Sequence, residues 1–404
     1  MGTLPEKVWR KNLMFVWISQ FMAMVGFGCC MPFIPLLLRD RFGISDENTR
    51  GVYVALYQLG GMTTFCIATA VWGVLADRLG RKLMLLRASY GAAVLYPLLA
   101  LAGNFQLLLL VRCISSFFSG TVNPAQTLMV SCAPPEKHGF VLGVLSTSIW
   151  SGHMAGYMLG GIVVEFFGYT AAFLCCSVIY AVSGILVHCF VKEEFTPPTP
   201  AQKAKNSLRP RDILTTGFIL MLGMFLLLGV ARRIDEPFIA MLVEVVNGRE
   251  KAAFYVGIVS SLASVGGVIS GFVTGNLCDR FDPAKILLPL LIFCAVTMFW
   301  QGLSGGIWEL AVARFSTYFV AGGVQPAMQV MLTKITPQEL RGTSFGWAHS
   351  VNTAGGILCA LISGSVVYLT NVRGVMITAG VIFILMLPLY FFVFQAYKAQ
   401  RISE

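Results

Sequence analysis

Charge is scarce in this sequence. Only 12% of its 404 residues are Asp, Glu, Lys or Arg and 56% are hydrophobic, whereas a soluble domain carries roughly 25% charged residues. That shortage excludes an ordinary water-soluble domain. Histidine is also sparse, at four residues, and no CxxC pair occurs among the eleven cysteines, so neither a zinc framework nor any other metal cluster is expected. Cys29, Cys30, Cys175 and Cys176 lie in apolar stretches and read as small buried hydrophobes. No GxxxxGK[ST] loop is present, which removes the phosphate cradle of an ATP-driven pump. No nucleophile–base set stands out either, so a membrane enzyme is not expected.

Long apolar runs take up most of the chain. A helix rising about 1.5 Å per residue needs roughly 20 apolar residues to cross about 30 Å of hydrocarbon. Runs of that kind are read near 13–38, 52–76, 83–103, 105–129, 140–164, 170–191, 213–243, 252–277, 285–304, 307–333, 343–370 and 373–396. The first is too long for a signal-peptide core and lacks a small-residue cleavage site, so it reads as a span. The pattern predicts an all-α membrane protein with twelve transmembrane helices. The net charge of +10 need not mean nucleic acid. With both termini in the cytoplasm, the inner segments hold Lys7, Arg10, Lys11, Arg78, Arg81, Lys82, Arg87, Lys137, the linker lysines and arginines, Arg280, Lys285, Lys334, Arg341, Lys398 and Arg401. The outer segments hold only Arg39, Arg41, Arg50, Arg249, Lys251 and Arg373. The basic excess is a positive-inside bias.

The two halves repeat one another. An offset of 202 pairs Gly73 with Gly275, Asp77 with Asp279, Arg78 with Arg280, Arg112 with Arg314, Gly120 with Gly322, Pro124 with Pro326 and Pro135 with Pro337. After a one-residue insertion Gly143, Gly152 and Gly161 pair with Gly346, Gly355 and Gly364. Equivalent loops must share a membrane face, so each half holds an even number of spans, and six fits. The expected organisation is an N-terminal six-helix bundle over 1–191, a Pro- and Lys-rich cytoplasmic linker over 192–212 and a C-terminal six-helix bundle over 213–404.

The stretch Gly73-Val-Leu-Ala-Asp77-Arg78-Leu-Gly80-Arg81-Lys82, with a degenerate copy ending in Asp279-Arg280, resembles the signature loop of the major facilitator superfamily. Gly143, Gly152, Gly156, Gly160 and Gly161 on helix 5 are similar to the glycine pattern of its twelve-helix drug:proton antiporter branch, although Tyr157 stands where that branch usually has proline. Arg112 with Gly120 resembles the branch's third motif. The similarity runs over essentially the whole chain and extends to bacterial multidrug exporters of the MdtG-like kind. It implies two pseudo-symmetric bundles rocking about a site at their interface, a monomer in the cell inner membrane with lipids around it, no cofactor, and a proton gradient as the energy source.

Several residues are candidates for the working parts. Asp77 sits at the C-terminal end of helix 2 and opposes that helix dipole, so its partners lie elsewhere. Arg81 is one candidate; the resemblance implies the start of helix 11, near Gly342 and Thr343, as another, locking an outward-open state. Gly80 permits a tight turn at positive φ. Ser148, Gly152, Gly156 and Gly160 share a helix face suited to close packing in lipid; the resemblance implies helix 8, with Ser260, Ser261, Ser264, Gly266 and Gly267, as its partner. Arg112 lies about 12 Å into helix 4, where a cation must face the interior, and the family ties it to proton coupling. Helix 7 carries Arg232, Arg233, Asp235 and Glu236 just before Pro237, and four charges there cannot face lipid. Asp235 or Glu236 reads as a protonatable group, Arg232 and Arg233 as anion ligands, or all four as internal pairs. Tyr57, Gln58, Asn123, Gln126, Trp150, His153, Gln325, Gln329 and Asn352 are further cavity candidates, as is Gln20. The expected function is proton-coupled export of amphiphilic small molecules by alternating access. A carrier for an organic anion using Arg232 and Arg233 is the alternative, and a receptor or scaffold a third reading.

Overall fold

In a computed structural model, the structure describes residues 5–195, 215–336 and 341–402, except the side chains of 77, 135, 275, 276, 279, 341–343 and 396–402. Within those residues the chain is a succession of helices with no strand. The first crossing, Glu6–Phe42, is α1 (Glu6–Cys30) and α2 (Ile34–Phe42) joined by a 3₁₀ turn at Met31–Phe33. Pro32 and Pro35 each lack the N–H that would continue the hydrogen-bond ladder. Asp46 then accepts from the Thr49 N–H at 2.8 Å. Hydrogen bonds from the Thr49 side chain and backbone hold the Asp46 carboxyl below the usual range.

Next come α3 (Glu47–Leu79) and α4 (Arg81–Ala100), separated only by Gly80, whose φ of +94° a residue with a Cβ rarely adopts. The fourth crossing is α5 (Phe105–Phe118) followed by α6 (Val122–Cys132). The 53-residue α7 (His138–Phe190) is too long for one crossing: at 1.5 Å per residue it would extend about 80 Å. It changes course at Gly168, whose φ and ψ are 80° and 174°, and supplies the fifth and sixth crossings. The seventh is α8 (Thr216–Ala231) and α9 (Ile239–Asn247), interrupted at the charged stretch before Pro237. Then follow α10 (Ala252–Arg280), α11 (Pro283–Leu303), α12 (Ile307–Lys334), α13 (Arg341–Leu369) and α14 (Val372–Ile402). Among the described residues these helices make twelve crossings. α12 carries Glu309, Arg314 and Lys334 in an otherwise largely apolar helix.

Contacts divide the chain into two compact units. Unit 1 comprises residues 1–43, 57–203 and 251–261, and unit 2 comprises 44–56, 204–250 and 262–404. In unit 1 the glycine face of α7 lies against α1. A Cβ on Gly156 would sit 2.5 Å from the Val25 carbonyl oxygen, so only glycine allows this approach. Gly152 and Gly160 meet Phe21 and Cys29 of α1 in the same way. The packing expected against helix 8 is therefore mostly packing against helix 1. Of these glycines Gly161 alone faces α10, at Ala253 and Gly257, while a Cβ on Gly143 would meet nothing within 4 Å. At one end of the unit Asn12 donates to the Lys192 carbonyl at 2.7 Å and accepts from its N–H at 3.0 Å.

Unit 2 repeats this plan. Gly355 of α13 lies against Leu226 and Gly229 of α8, as its repeat mate Gly152 lies against α1. The first turn of α3 also belongs here: Glu47 accepts from the N–H of Val372 at 2.8 Å, and Arg50 and Glu244 form a buried 2.6 Å ion pair. Phe166 and Phe167 of unit 1 and Leu369 of unit 2 are more than 70% exposed, which suits a surface solvated by lipid tails rather than water.

Candidate functional site

The break in the seventh crossing places its charges at the centre of unit 2. Asp235 lies in the turn between α8 and α9 and is fully buried. Its Oδ2 meets Nη1 of Arg314 from α12 at 2.6 Å. The same nitrogen donates to Gln301 of α11 at 3.2 Å, and Nη2 donates to the Tyr318 hydroxyl at 3.3 Å. Gln301 in turn donates to Thr317 at 2.7 Å, and the guanidinium lies 5.0 Å from the Tyr318 ring centroid. Asp235 Oδ1 is buried with no hydrogen-bond partner. A carboxylate and a guanidinium this deep are tolerable only as a pair, since either alone costs several kcal/mol.

The neighbouring charges point elsewhere. Arg232 donates to Gln325 at 2.9 Å, which brings two of the expected cavity residues together. Arg233 occupies the space left by the missing side chain of Gly356, where a Cβ would come within 2.6 Å of Nη1. Glu236, Gln329 and Gln325 are half-buried. Asn352 is buried and donates to the Phe225 carbonyl at 3.0 Å. That bond ties α13 to α8 within unit 2.

Unit 1 holds the counterpart without the acid. Arg112 lies 5.0 Å from the Tyr57 ring centroid and fits beside Gly61, and its Nε is buried without a hydrogen-bond partner. Tyr57 is buried and Gln58 half-buried. His153 stacks on Tyr157 at 5.6 Å and meets Phe27 edge-on at 5.9 Å. Asn123 is exposed, and Gln126 and Trp150 are half-buried.

At the signature loop, Glu193 accepts from the backbone N–H groups of Arg81 at 2.9 Å and Lys82 at 2.8 Å. Lys82 also donates to the His188 carbonyl at 3.0 Å. Gly73, Arg78 and Arg280 are exposed, and the side chains of Asp77, Asp279, Gly342 and Thr343 lie outside the described residues. The reading of the sequence missed Glu193, Gln301, Thr317 and Tyr318. Arg314 was visible only as the repeat mate of Arg112.

The sequence profile of the Major Facilitator Superfamily matches residues 16–248 and 234–402. The chain belongs to the Major Facilitator Superfamily. Among curated members, the multidrug resistance protein MdtG of Proteus mirabilis (strain HI4320) is 30% identical over 386 residues, covering 93% of this chain and 94% of its own. The protein of the same name from Salmonella paratyphi A is 28% identical over 381 residues, covering 93% of each chain. Among solved structures, a bacterial homolog of the human lysosomal transporter Spinster, inward-facing and occupied, superposes with a TM-score of 0.75 at 14% identity, over 99% of both chains. The nucleoside transporter NupG gives 0.72 at 13% identity, over 96% of this chain and 99% of that one. At such identities these two support the fold alone. As a Major Facilitator Superfamily transporter, the protein is a carrier of the inner membrane and not an enzyme.

Proposed function

We propose that this transporter exports amphiphilic small molecules in exchange for protons, by alternating access, with both termini in the cytoplasm. The observation that carries the reading is the buried Asp235–Arg314 pair at the break of the seventh crossing. A proton gradient needs a group whose charge state changes the balance between two conformations. Protonating Asp235 removes the counter-charge of Arg314 in a low-dielectric setting, where losing that attraction is worth several kcal/mol. That is large enough to shift a conformational equilibrium by orders of magnitude. The relatives named for multidrug resistance support the substrate class. The proton gradient is the energy source in this reading, no cofactor is needed, and a monomer suffices.

A second reading rests on Arg232 and Arg233, which bring two positive charges to the same turn while Asp235 is engaged elsewhere. They would receive an organic anion. One experiment separates the two. In everted vesicles, an imposed pH gradient drives accumulation of a cationic dye in the wild type but not in Asp235→Asn. If only anionic solutes compete, and Arg233→Ala abolishes that competition, the anion reading replaces the first.

A further inference from the structure

Unit 1 contains a cavity of about 230 Å³ that the proposed coupling chemistry does not use. It lies beside the Gly80 turn, with α3 and α4 as two walls and the start of α6 as the third. A single water needs about 15 Å³ of the same measure, so the space accepts a polyatomic group. Among the described residues, the lining combines apolar Phe65, Trp72 and Met84 with neutral hydroxyl and amide groups and the cations Arg81 and Arg87, and none of these residues is acidic.

Arg87 is the unusual member. It stands six residues into α4, about 9 Å along the helix, a depth where polar headgroups meet hydrocarbon. Its guanidinium lies 4.2 Å from the Trp72 ring centroid, and Nη2 donates to the Ser119 carbonyl at 3.1 Å. Nε and Nη1 are buried and have no hydrogen-bond partner. A guanidinium left with unmade donors in a poorly hydrated place is costly, and a bidentate oxyanion is the acceptor that fits its geometry. Glu193 is not that acceptor: its oxygens accept from the Arg81 and Lys82 N–H groups, and neither is bonded to Arg87.

We propose that this cavity binds a phosphate-bearing amphiphile, the phosphate on Arg87 and Arg81 and the hydrocarbon against Phe65 and Trp72, which is the chemistry of an anionic phospholipid. The site is independent of the transport direction and of the coupling ion.

The test uses the full-length protein purified in a neutral detergent. Its thermal stability is followed during titration with phosphatidylglycerol, phosphatidylcholine, glycerol phosphate and inorganic phosphate. Phosphatidylglycerol is expected to stabilise the wild type at the lowest concentration. Arg87→Gln is expected to weaken that response about tenfold, the loss of one charge-assisted pair. Gly73→Leu tests the same cavity without touching either arginine: a Cβ at Gly73 meets nothing within 4 Å, so the new side chain has room on the cavity wall and is expected to block the response. If Arg87→Gln does not fold, Gly73→Leu decides. An equal response to phosphatidylcholine, or a wild-type response retained by either folded variant, overturns the site. An equal response to inorganic phosphate overturns the lipid as its occupant.

Discussion

Arg112 and Arg314 hold equivalent positions in the two repeats, and each guanidinium lies 5.0 Å from the ring centroid of a tyrosine. Only Arg314 also has a carboxylate, Asp235, at 2.6 Å. The two tyrosines are not repeat mates, since Tyr57 lies on α3 and Tyr318 on the same helix as Arg314. Each copy therefore sets its cation over an aromatic ring in its own way, and an acid stands opposite the cation in one copy alone. Helix 1, the counterpart of helix 7, carries Pro32-Phe33-Ile34 without the acids that precede Pro237-Phe238-Ile239.

From this asymmetry comes the first expectation. Asp235→Ala should destabilise the protein by about 3–5 kcal/mol, because it strands a buried guanidinium. The double variant Asp235→Asn/Arg314→Gln should recover much of that loss, since it removes both charges, and yet abolish transport driven by a pH gradient. Thermal unfolding and vesicle uptake measured on the same preparations check this. A stable double variant with intact gradient-driven uptake would remove the pair from coupling.

Arg112 depends on an aromatic face rather than on an acid. Tyr57→Leu should cost about 0.5–2 kcal/mol through loss of the cation–π contact. Tyr57→Phe should be nearly neutral, because the hydroxyl makes only a 4.0 Å contact with the Met31 sulfur. Unfolding midpoints of the two variants, measured side by side, decide between the ring and the hydroxyl as the relevant group.

The twelve crossings and the repeat were legible because hydropathy, Gly, Pro and charge are written locally in the chain. Partnerships were less so. Asp235 and Arg314 are far apart in sequence, and only the repeat register hinted that Arg314 stood where Arg112 did. The spacing of Gly152, Gly156 and Gly160 announced a close helix contact without saying with which helix, and it proved to be α1. Asn352 looked like a polar group awaiting a solute, whereas it is held by the Phe225 carbonyl. Glu193 stood at the edge of a charged linker, where an acid normally reads as solvated. Periodicity shows which residues share a face, and tertiary packing determines what that face meets.

The glycines of α7 are not equivalent. Gly156→Ala would bring a methyl group to 2.5 Å from the Val25 oxygen and should cost about 1–3 kcal/mol through overpacking. Gly143→Ala meets nothing within 4 Å and should stabilise by about 0.5–1 kcal/mol, from better helix propensity and a less flexible unfolded chain. Equal unfolding shifts for the two would contradict the assignment of Gly156, and not Gly143, to the α1 contact.

Glu193 ties the end of the sixth crossing to the start of the third. Both of its oxygens accept from the first free N–H groups of α4, groups no helical carbonyl can satisfy, and its charge complements the positive end of that helix dipole. Glu193→Ala should therefore cost about 0.5–2 kcal/mol, as the loss of a helix cap does. Glu193→Gln keeps an acceptor oxygen but loses the charge, so it should fall between wild type and alanine. Hydrogen exchange at the amides of Arg81 and Lys82 provides the local readout: both should exchange faster in Glu193→Ala, with the amides of Leu107 and Phe218, capped by Asn104 and Thr215, unchanged. Unaltered exchange at Arg81 and Lys82 would show that the carboxylate does not cap α4 in the membrane.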